Sequence, residues 1–328
     1  MTGPAAGDGP RTPLVLKFGG SAFAELEGFT RVARYVADRA ADSGRPVVVV
    51  VSAMSGTTGR LKETLERLAP DPPPEAAAML LTSGETVSVA LLTAVLDMVG
   101  LRASPVAAAG TGLLAEGPPQ HAALLRADPA PLTAALAARP VAVVPGGPAV
   151  TAAGRSVMLG RNSSDLSAVA LAGALSAPVC ELFSDVPGIC TADPYLVPAA
   201  RTLEHVAYET VRRMSHHGAK VVHTRAVDWA ERHGVLLHCR PLPPGGGAGT
   251  VVGQGPPAPA VVVSARDDGL ARITTLREDG PAEHTLVPAA DAADRARRAH
   301  RELFPDAAED APPVPPKARS AYSDVLIT

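Results

Sequence analysis

The segment RPVVVVVSAM, residues 45–54, constrains the fold more than any other part of the sequence. Five successive valines leave no polar face, so this strand must be covered on both sides, as strands of parallel sheets are. A small glycine-containing turn, SAMSGTTG, follows, and helical periodicity begins near residue 60. A buried strand, a glycine-rich turn and a helix in this order predict an α/β fold with a mostly parallel sheet between layers of helices.

The segment LVLKFGGSAF, residues 14–23, shows the same arrangement at the start of the chain. An apolar strand ends in Lys17, two glycines and a serine follow, and an amphipathic helix then runs to a glycine stop at Gly44. Glycine-rich turns after parallel strands expose backbone N–H groups that can bind an anion. Neither turn has the P-loop or the dinucleotide-binding spacing. Together, the two turns and Lys17 predict a phosphate site at one edge of the sheet.

Composition changes divide the remaining chain. We expect a disordered leader over residues 1–12 and a main domain over 13–254 that ends near the run PPGGGAG. Residues 258–305 can form two or three strands and a helix, which predicts a short α+β appendage. The last segment, 306–328, is proline-rich and is expected to be a disordered tail.

Bulk properties exclude several classes of function. A net charge of −3 and a pI near 6.3 give no electrostatic basis for binding nucleic acid or an anionic membrane. No apolar run reaches the roughly 18 residues of a membrane helix, and the N-terminus lacks the apolar core of a secretory signal. The odd number of cysteines, without metal-ligand spacing, favours reduced thiols. We therefore expect a cytoplasmic protein in which no cluster of side chains binds a metal ion.

Two further groups are candidates for chemistry. The segment LGRNSSDLSA places a cation, hydroxyls and a carboxylate at a helix N-terminus. Helix capping by Ser163 or Ser164, with Asp165 as a partner of the helix dipole, explains these residues equally well. Glu85 lies within a long apolar helical stretch, where a carboxylate needs a partner or a ligand.

Six segments resemble those of aspartokinases, in the order found in that family, between residue 13 and about residue 254. In chain order they are KFGGSAF, VVSAMSGTTGRL, TSGETVSVALL, LGRNSSDLSAVALAGAL, CELFSDVPGICTADPYLVPAARTL and GAKVVHTRAVDWAERHGVLLHCR. The resemblance implies the amino-acid kinase fold, with an acceptor-side lobe over about 13–150 and a nucleotide-side lobe over 151–254. It also implies transfer of the γ-phosphoryl group of ATP, with Mg²⁺, to the side-chain carboxylate of aspartate, and a homodimer.

The same resemblance implies a role for each matching residue. Lys17 would lie at the transferring phosphoryl group and Asp165 would hold that lysine. The implied nucleotide contacts are Gly19, Gly20, Ser184, Asp185, Cys190, Tyr195 and Lys220. The implied acceptor contacts are Ser21, Ser52, Thr58, Glu85, Arg161 and Ser164. Within the acceptor set, Glu85 would receive the ammonium group and Arg161 would clamp the carboxylate.

Several positions depart from the family pattern. Asn162 and Ser163 replace two glycines, and Cys190 and Tyr195 replace a tyrosine and an arginine of the nucleotide loop. We therefore expect a weak ATP site and a changed acceptor wall. Residues 258–305 resemble only the first strands of the ACT modules that bind feedback amino acids, which predicts no intact ACT pair and little feedback by lysine or threonine.

Three functions remain open at this stage. The first is an aspartate kinase, dedicated to the pathway of a specialised metabolite. The second is a kinase of the same fold that phosphorylates another small carboxylate or amino-acid-like compound. The third is a catalytically inactive sensor of nucleotide or amino acid, against which the retained charged residues argue.

Overall fold

The computed structural model describes residues 12–243 and 245–306, so most of the predicted leader and tail lies outside it. Within those residues the strands are β1 (Leu14–Phe18), β2 (Val47–Val51), β3 (Ala103–Pro105), β4 (Leu113–Glu116), β5 (Ala123–Ala127), β6 (Val141–Pro145), β7 (Pro148–Val150), β8 (Ser156–Met158), β9 (Val179–Ser184), β10 (His205–Ala207), β11 (Leu236–Pro241), β12 (Thr250–Gly253), β13 (Ala260–Ala265), β14 (Leu270–Leu276) and β15 (Glu283–Pro288). The α-helices are α1 (Glu27–Ser43), α2 (Thr57–Leu68), α3 (Pro74–Leu81), α4 (Ser83–Met98), α5 (Ala130–Ala138), α6 (Ser164–Ala174), α7 (Tyr208–His216), α8 (Thr224–His233) and α9 (Ala292–Leu303).

Eight strands form the central sheet, in the order β10-β12-β11-β9-β1-β2-β6-β3. All neighbouring pairs are parallel except β11 and β12. Each valine of β2 is fully buried, as the unbroken valine run predicted. The α/β fold with a mostly parallel sheet is thereby confirmed, and β1 lies between β2 and β9 near the middle of it.

Helices cover both faces of this sheet. Helices α1 and α4 pack on one face, where Leu16, Phe18 and Phe183 join the same apolar cluster. Helices α6 and α8 pack on the other face, where their alanines and valines allow close approach to the strands. Because residues alternate along β1, Phe18 faces α1 whereas Lys17 faces α6.

Two smaller sheets complete the structure. Strands β5-β4-β7-β8 form a mixed sheet that contacts α6, and β7–β8 is the hairpin that carries the chain toward residue 160. Strands β13-β14-β15 form an antiparallel sheet on which α9 packs. Residues 260–303, named here the C-terminal module, thus have the order β-β-β-α, which matches the predicted short α+β appendage.

Helices α3 and α4 follow each other closely. Within Pro74–Met98 an 18-residue window reaches a mean hydropathy of 1.6, so this segment is long and apolar enough to cross a membrane by length and composition. The expectation that no apolar segment reaches that length was therefore wrong. The finding is weak evidence for a membrane, because Val89, Leu92 and Leu96 pack into the core beside the central sheet and because core helices pass the same test.

Candidate active site

Lys17 and Asp165 form an ion pair at the centre of the molecule. The Lys17 Nζ lies 2.7 Å from Asp165 Oδ1, and the two side chains are only 12% and 14% exposed. The backbone N–H of His223 donates to the other carboxylate oxygen at 3.3 Å. Asp165 is in the first turn of α6, so a strand, a helix and the loop before α8 together fix the position of one ammonium group.

A cavity of about 290 Å³ opens from this ion pair. Six residues predicted from the resemblance line it: Lys17, Asp165, Ser184, Cys190, Tyr195 and Lys220. Asp185 follows Ser184 directly, and its backbone carbonyl accepts a hydrogen bond from the Tyr195 hydroxyl at 3.5 Å. The structure therefore brings the predicted nucleotide-side loops together around one space.

Tyr195 and Cys190 carry no charge in this cavity. Burial, together with the nearby carboxylates of Asp185 and Asp193, raises the pKa of Tyr195 to about 12. Burial likewise raises the pKa of the Cys190 thiol. Neither replacement restores the positive charge that an arginine would supply. Among the described residues, the cations that line the cavity are Lys17 and Lys220.

Asp193 is a cavity residue that the sequence-based assignment missed. Its carboxylate accepts a hydrogen bond from the Tyr195 backbone N–H at 2.9 Å, and burial raises the pKa of this carboxyl group. It belongs to TADPY, within the fifth of the six segments that resemble aspartokinases. A carboxylate immediately before a proline in a buried loop was the available signal.

Ser52, Ser164 and Glu85 lie together beside the ion pair, on the predicted acceptor side. The Ser52 hydroxyl is 2.9 Å from the Ser164 hydroxyl, and the Ala53 backbone N–H donates to Glu85 Oε1 at 3.4 Å. Burial raises the pKa of Glu85 to about 7. This carboxyl group is therefore poised to ionise when a cation comes near.

Other predicted acceptor residues are less closely connected. Arg161 is exposed, three positions before Ser164, and within the described residues its guanidinium has no hydrogen-bond or ion-pair partner. Thr58 is in the first turn of α2, and Ser21 is in a short 3₁₀ helix after β1. The structure does not join these three side chains to the Ser52–Ser164 pair, and their assignment stays a prediction.

The two glycines after Lys17 have structural reasons of their own. The Gly19 N–H donates to the Phe183 carbonyl at 3.3 Å, so it is already engaged, although the long distance indicates a weak bond. A side chain at Gly20 would place its Cβ 2.9 Å from the Ala53 carbonyl oxygen. Close packing of the turns after β1 and β2 therefore requires glycine at position 20, whether or not a phosphate binds there.

The loop before α6 accommodates Asn162 and Ser163, the two residues that replace glycines of the family pattern. Asn162 has φ 58°, a left-handed conformation that asparagine tolerates better than most residues. The Ser163 hydroxyl donates to the Gly160 carbonyl at 2.7 Å, and α6 has no side-chain N-cap bond. The capping explanation is therefore wrong for Ser163, and the Ser164 hydroxyl pairs with Ser52 instead.

Gly146, at the end of β6, sets how closely this loop approaches the sheet. A Cβ there would lie 2.6 Å from the Cβ of Ser164 and 2.9 Å from a methyl group of Val50. The role of Gly146 is to let the backbone of β6 approach Ser164.

The sequence model of the amino acid kinase family matches residues 12–240. The chain belongs to the amino acid kinase family. Among curated relatives, the aspartokinases of Mycolicibacterium smegmatis and Thermus thermophilus are each 40% identical, over 228 and 227 residues. These matches cover 69% of this chain but only 54% and 56% of the relatives, so the chain spans about half the length of the curated relatives it matches.

Solved structures give the same assignment of fold. The aspartate kinase from Synechocystis is 33% identical with a TM-score of 0.64, over 75% of this chain and 40% of that one. Escherichia coli aspartokinase III, solved with aspartate and ADP, has a TM-score of 0.72 at 20% identity, over 90% of this chain and 100% of that one. The second likeness shows the fold alone. The predicted membership of the amino acid kinase family is thus confirmed.

Proposed function

We propose that this chain is a kinase that transfers the γ-phosphoryl group of ATP to the side-chain carboxylate of aspartate, giving an acyl phosphate. The observation that carries the proposal is the position of the Lys17–Asp165 pair. It lies between the cavity bounded by Ser184, Tyr195 and Lys220 and the Ser52–Ser164–Glu85 group. The aspartokinases that resemble this chain support the same activity.

The chain's own residues account for binding and charge stabilisation. The nucleotide phosphates would meet the ammonium groups of Lys17 and Lys220, and Asp165 keeps Lys17 directed along the line between the two substrates. An ammonium group held in a partly buried site stabilises negative charge on the transferring phosphoryl group more strongly than water does. Glu85 would receive the acceptor's ammonium group, and Arg161 its α-carboxylate.

The residues of the cavity fit Mg²⁺ carried by the nucleotide. Within residues 12–243 and 245–306, no group of three histidine, cysteine, aspartate or glutamate residues could hold a metal ion. Mg²⁺ in kinases is commonly bound by substrate phosphates and one or two carboxylates rather than by a protein cage, and the carboxylates of Asp165 and Asp193 line the cavity. When bound, the ion supplies neutralisation of phosphate charge.

A second candidate is transfer to another small amino acid or carboxylate. The observation that favours it is the loop of Arg161 and Asn162, which has side chains where the family has glycines and leaves Arg161 exposed. A changed loop next to Ser164 alters the wall of the acceptor site while the Lys17–Asp165 pair stays intact.

Trapping with hydroxylamine distinguishes the candidates. Purified protein is incubated with Mg²⁺, ATP and one member of an amino-acid panel, and the acyl phosphate is captured as a hydroxamate. We expect product with aspartate above all other acceptors. Product with another acceptor and none with aspartate would establish the second candidate, and nucleotide binding without any product would identify a sensor.

We also propose that the chain forms a homodimer in the cytoplasm. Helix α4 presents an uncharged stripe of Val87, Ala90, Leu91, Ala94 and Met98, and Met98 is 84% exposed. A two-fold dimer would place the stripe of one copy against the same stripe of the other. The three free, buried cysteines are in keeping with a reducing compartment.

Sedimentation of the purified chain tests the homodimer. Leu91→Glu is expected to shift the protein from dimer to monomer, because it places a charge in the middle of the stripe. Leu286→Glu alters a similarly exposed leucine on β15 and should leave the dimer unchanged. A monomeric wild-type protein would refute this part of the proposal.

A further inference from the structure

The C-terminal module lines the same cavity as the nucleotide loop. Five successive residues of β13, Val261 to Ala265, lie along its wall. The Val261 backbone N–H donates to the Thr191 carbonyl at 2.8 Å, so β13 is hydrogen-bonded to the loop that carries Cys190 and Tyr195. The module is therefore a structural part of the cavity, not a separate appendage.

Strand β13 also meets the opposite side of the cavity. A side chain at Gly218 would place its Cβ 2.6 Å from the Ser264 hydroxyl oxygen, which shows how closely the two segments approach. Gly218 lies two residues before Lys220, at the end of α7. Ser264 thus contacts the segment that carries one of the two lysines of the cavity.

Helix α9 holds the nucleotide loop in place. His300 is fully buried, and its Nε2 lies 2.9 Å from the Thr191 hydroxyl. That hydroxyl also accepts the Arg201 backbone N–H at 3.0 Å, and Arg297 donates to the Leu196 carbonyl at 2.9 Å. Helix α9 therefore fixes the loop at two points, Thr191 and Leu196, and the Thr191 hydroxyl in turn binds Arg201 within the loop.

Apolar packing reinforces these hydrogen bonds. Ala192 and Val197 of the loop form one buried cluster with residues of β13, β14 and α9. Removing the module would expose this cluster and leave the loop without its partner surface. The conformation of the loop therefore depends on the module.

The distribution of charged residues around the cavity indicates which end of a bound nucleotide would contact β13. The charged residues of the cavity wall are Lys17, Asp165, Asp193 and Lys220, and β13 contributes only Val261, Val262, Val263, Ser264 and Ala265. Phosphates require cations and N–H donors, whereas a nucleobase packs well on small and aliphatic side chains. The base is thus the part of the nucleotide that suits β13.

We propose that the C-terminal module forms part of the nucleotide site, with β13 contacting the base and His300 positioning the nucleotide loop through Thr191. This inference rests on the proposed function, because it requires a nucleotide in this cavity. It assigns nucleotide selectivity to residues outside 12–240, the part of the chain that the family match covers.

Selectivity among nucleotides tests the contact with the base. Ser264→Phe places a large side chain in the cavity from the β13 side. The affinities of the variant and of the wild type for ATP, GTP and CTP are measured by displacement of a fluorescent, non-hydrolysable ATP analogue in the presence of Mg²⁺. We expect at least tenfold weaker ATP binding and at least a fivefold change in the ratio of ATP to CTP affinity. Asp267→Phe, in the exposed turn after β13, is the control and should bind as wild type does.

The outcomes separate this inference from the proposed function. Equal weakening of all three nucleotides, or no weakening, would overturn the contact with the base while the kinase assignment stands. A wild-type protein that binds none of the nucleotides would overturn both. A changed ratio, with phosphoryl transfer by wild type intact, supports both.

A double-mutant cycle tests the positioning role of His300. We expect His300→Gln to weaken binding of the ATP analogue at least fivefold without changing the affinity for the acceptor. Thr191→Val removes the hydroxyl that His300 contacts, so His300→Gln should have little further effect in that background. Arg298→Ala, an exposed site on the same helix, is the control. Fully additive effects would refute positioning through Thr191.

Discussion

The two sides of the site differ in how completely the protein builds them. The nucleotide side is enclosed by loop 188–201, the segment before α8 and β13. The Val261 backbone N–H binds the Thr191 carbonyl and joins β13 to the loop, and the Thr191–His300 bond joins the loop to α9. The acceptor side consists of one serine pair, a buried Glu85 and an exposed Arg161. A tightly packed wall resists substitution, whereas a sparse polar one can change at small cost to the fold. We thus expect the proposed nucleotide side to resist substitution and the proposed acceptor side to tolerate it.

Lys17 lies where the two sides meet, and its replacement is expected to have the largest effect. Lys17→Ala removes the charge next to the transferring group, so turnover should fall at least a hundredfold, or about 3 kcal/mol. Affinity for the ATP analogue should change less than tenfold, because loop 188–201 and β13 remain in place. Stopped-flow or coupled ADP assays and calorimetric titration measure the two quantities.

Lys62→Ala is the matched control for Lys17. Lys62 is half-exposed and pairs with Glu66 on the surface of α2, so its removal should leave turnover unchanged. A Lys17→Ala variant that retains a tenth of wild-type turnover would refute the proposed role of Lys17 in phosphoryl transfer. Equal losses of turnover and nucleotide affinity would show that the two sides are not independent.

Gly146→Ala tests whether the acceptor side can be disturbed alone. The added methyl group would clash with Ser164 and Val50, which should displace Ser164 and cost about 1–3 kcal/mol of stability. The acceptor KM is expected to rise at least tenfold while nucleotide affinity stays within twofold. Gly59→Ala is the control, since a Cβ at Gly59 meets nothing within 4 Å. An unchanged acceptor KM in a folded Gly146→Ala protein would contradict the placement of Ser164.

Glu85 connects acceptor binding with pH. Its pKa, raised to about 7 by burial, means that the carboxylate needed to bind an ammonium group is lost as pH falls below 7. The acceptor KM should therefore rise on acidification from pH 8 to pH 6. Glu85→Gln should have a high KM at both values, with the KM for ATP unchanged.

The same residue has the opposite effect on stability. The folded protein binds a proton at Glu85 up to a higher pH than the unfolded chain does. The free energy of unfolding therefore decreases as pH rises from about 4.5 to 7. Glu85→Gln should stabilise the substrate-free protein at pH 8, by an amount on the order of 3 kcal/mol. Thermal unfolding measures this, with the exposed Glu75→Gln as control. A lower melting temperature for Glu85→Gln would refute the buried-carboxylate explanation.

Asn162 is expected to show the smallest effect. Its left-handed backbone costs most side chains about 1–2 kcal/mol, and asparagine less. Asn162→Ala should therefore lower stability by about 1 kcal/mol, whereas Asn162→Gly should be close to neutral. Denaturant unfolding distinguishes the two, and equal stability of both variants would mean that the loop relaxes freely.

Sequence patterns predicted the parts of the structure that depend on local order. The valine run predicted β2, and the helical spacing predicted α1 and its stop at Gly44. The lysine of β1 lines the cavity, and its catalytic role stays a prediction. The predicted start of α2, near Arg60, is three residues later than the observed start at Thr57. The N-cap is Gly56, which has no side chain that could mark the start of a helix. The short strand β10 had no signal in its local sequence, because it forms by pairing with the distant β12.

The contribution of the C-terminal module was not predictable in the same way. Nothing in the local composition of β13 distinguishes a strand that lines a cavity from one that covers a core. The position of β13 follows from two contacts with earlier parts of the chain. Val261 binds Thr191, 70 positions before it, and Ser264 lies against Gly218, 46 positions before it. The domain boundary near residue 254 followed composition and therefore stays a prediction, although β13 packs across it.

The Thr191–His300 bond joins residues 109 positions apart, and this separation has a consequence for synthesis on the ribosome. The segments of Lys17, Ser52, Glu85 and Ser164 have all been made before residue 170, while the partner of Thr191 follows some 130 residues later. At about 5–20 residues per second, that delay is roughly ten seconds. A nascent chain can thus assemble its proposed acceptor side early, whereas the Thr191–His300 bond cannot form until α9 has been made, so the wall of the cavity is completed late in synthesis.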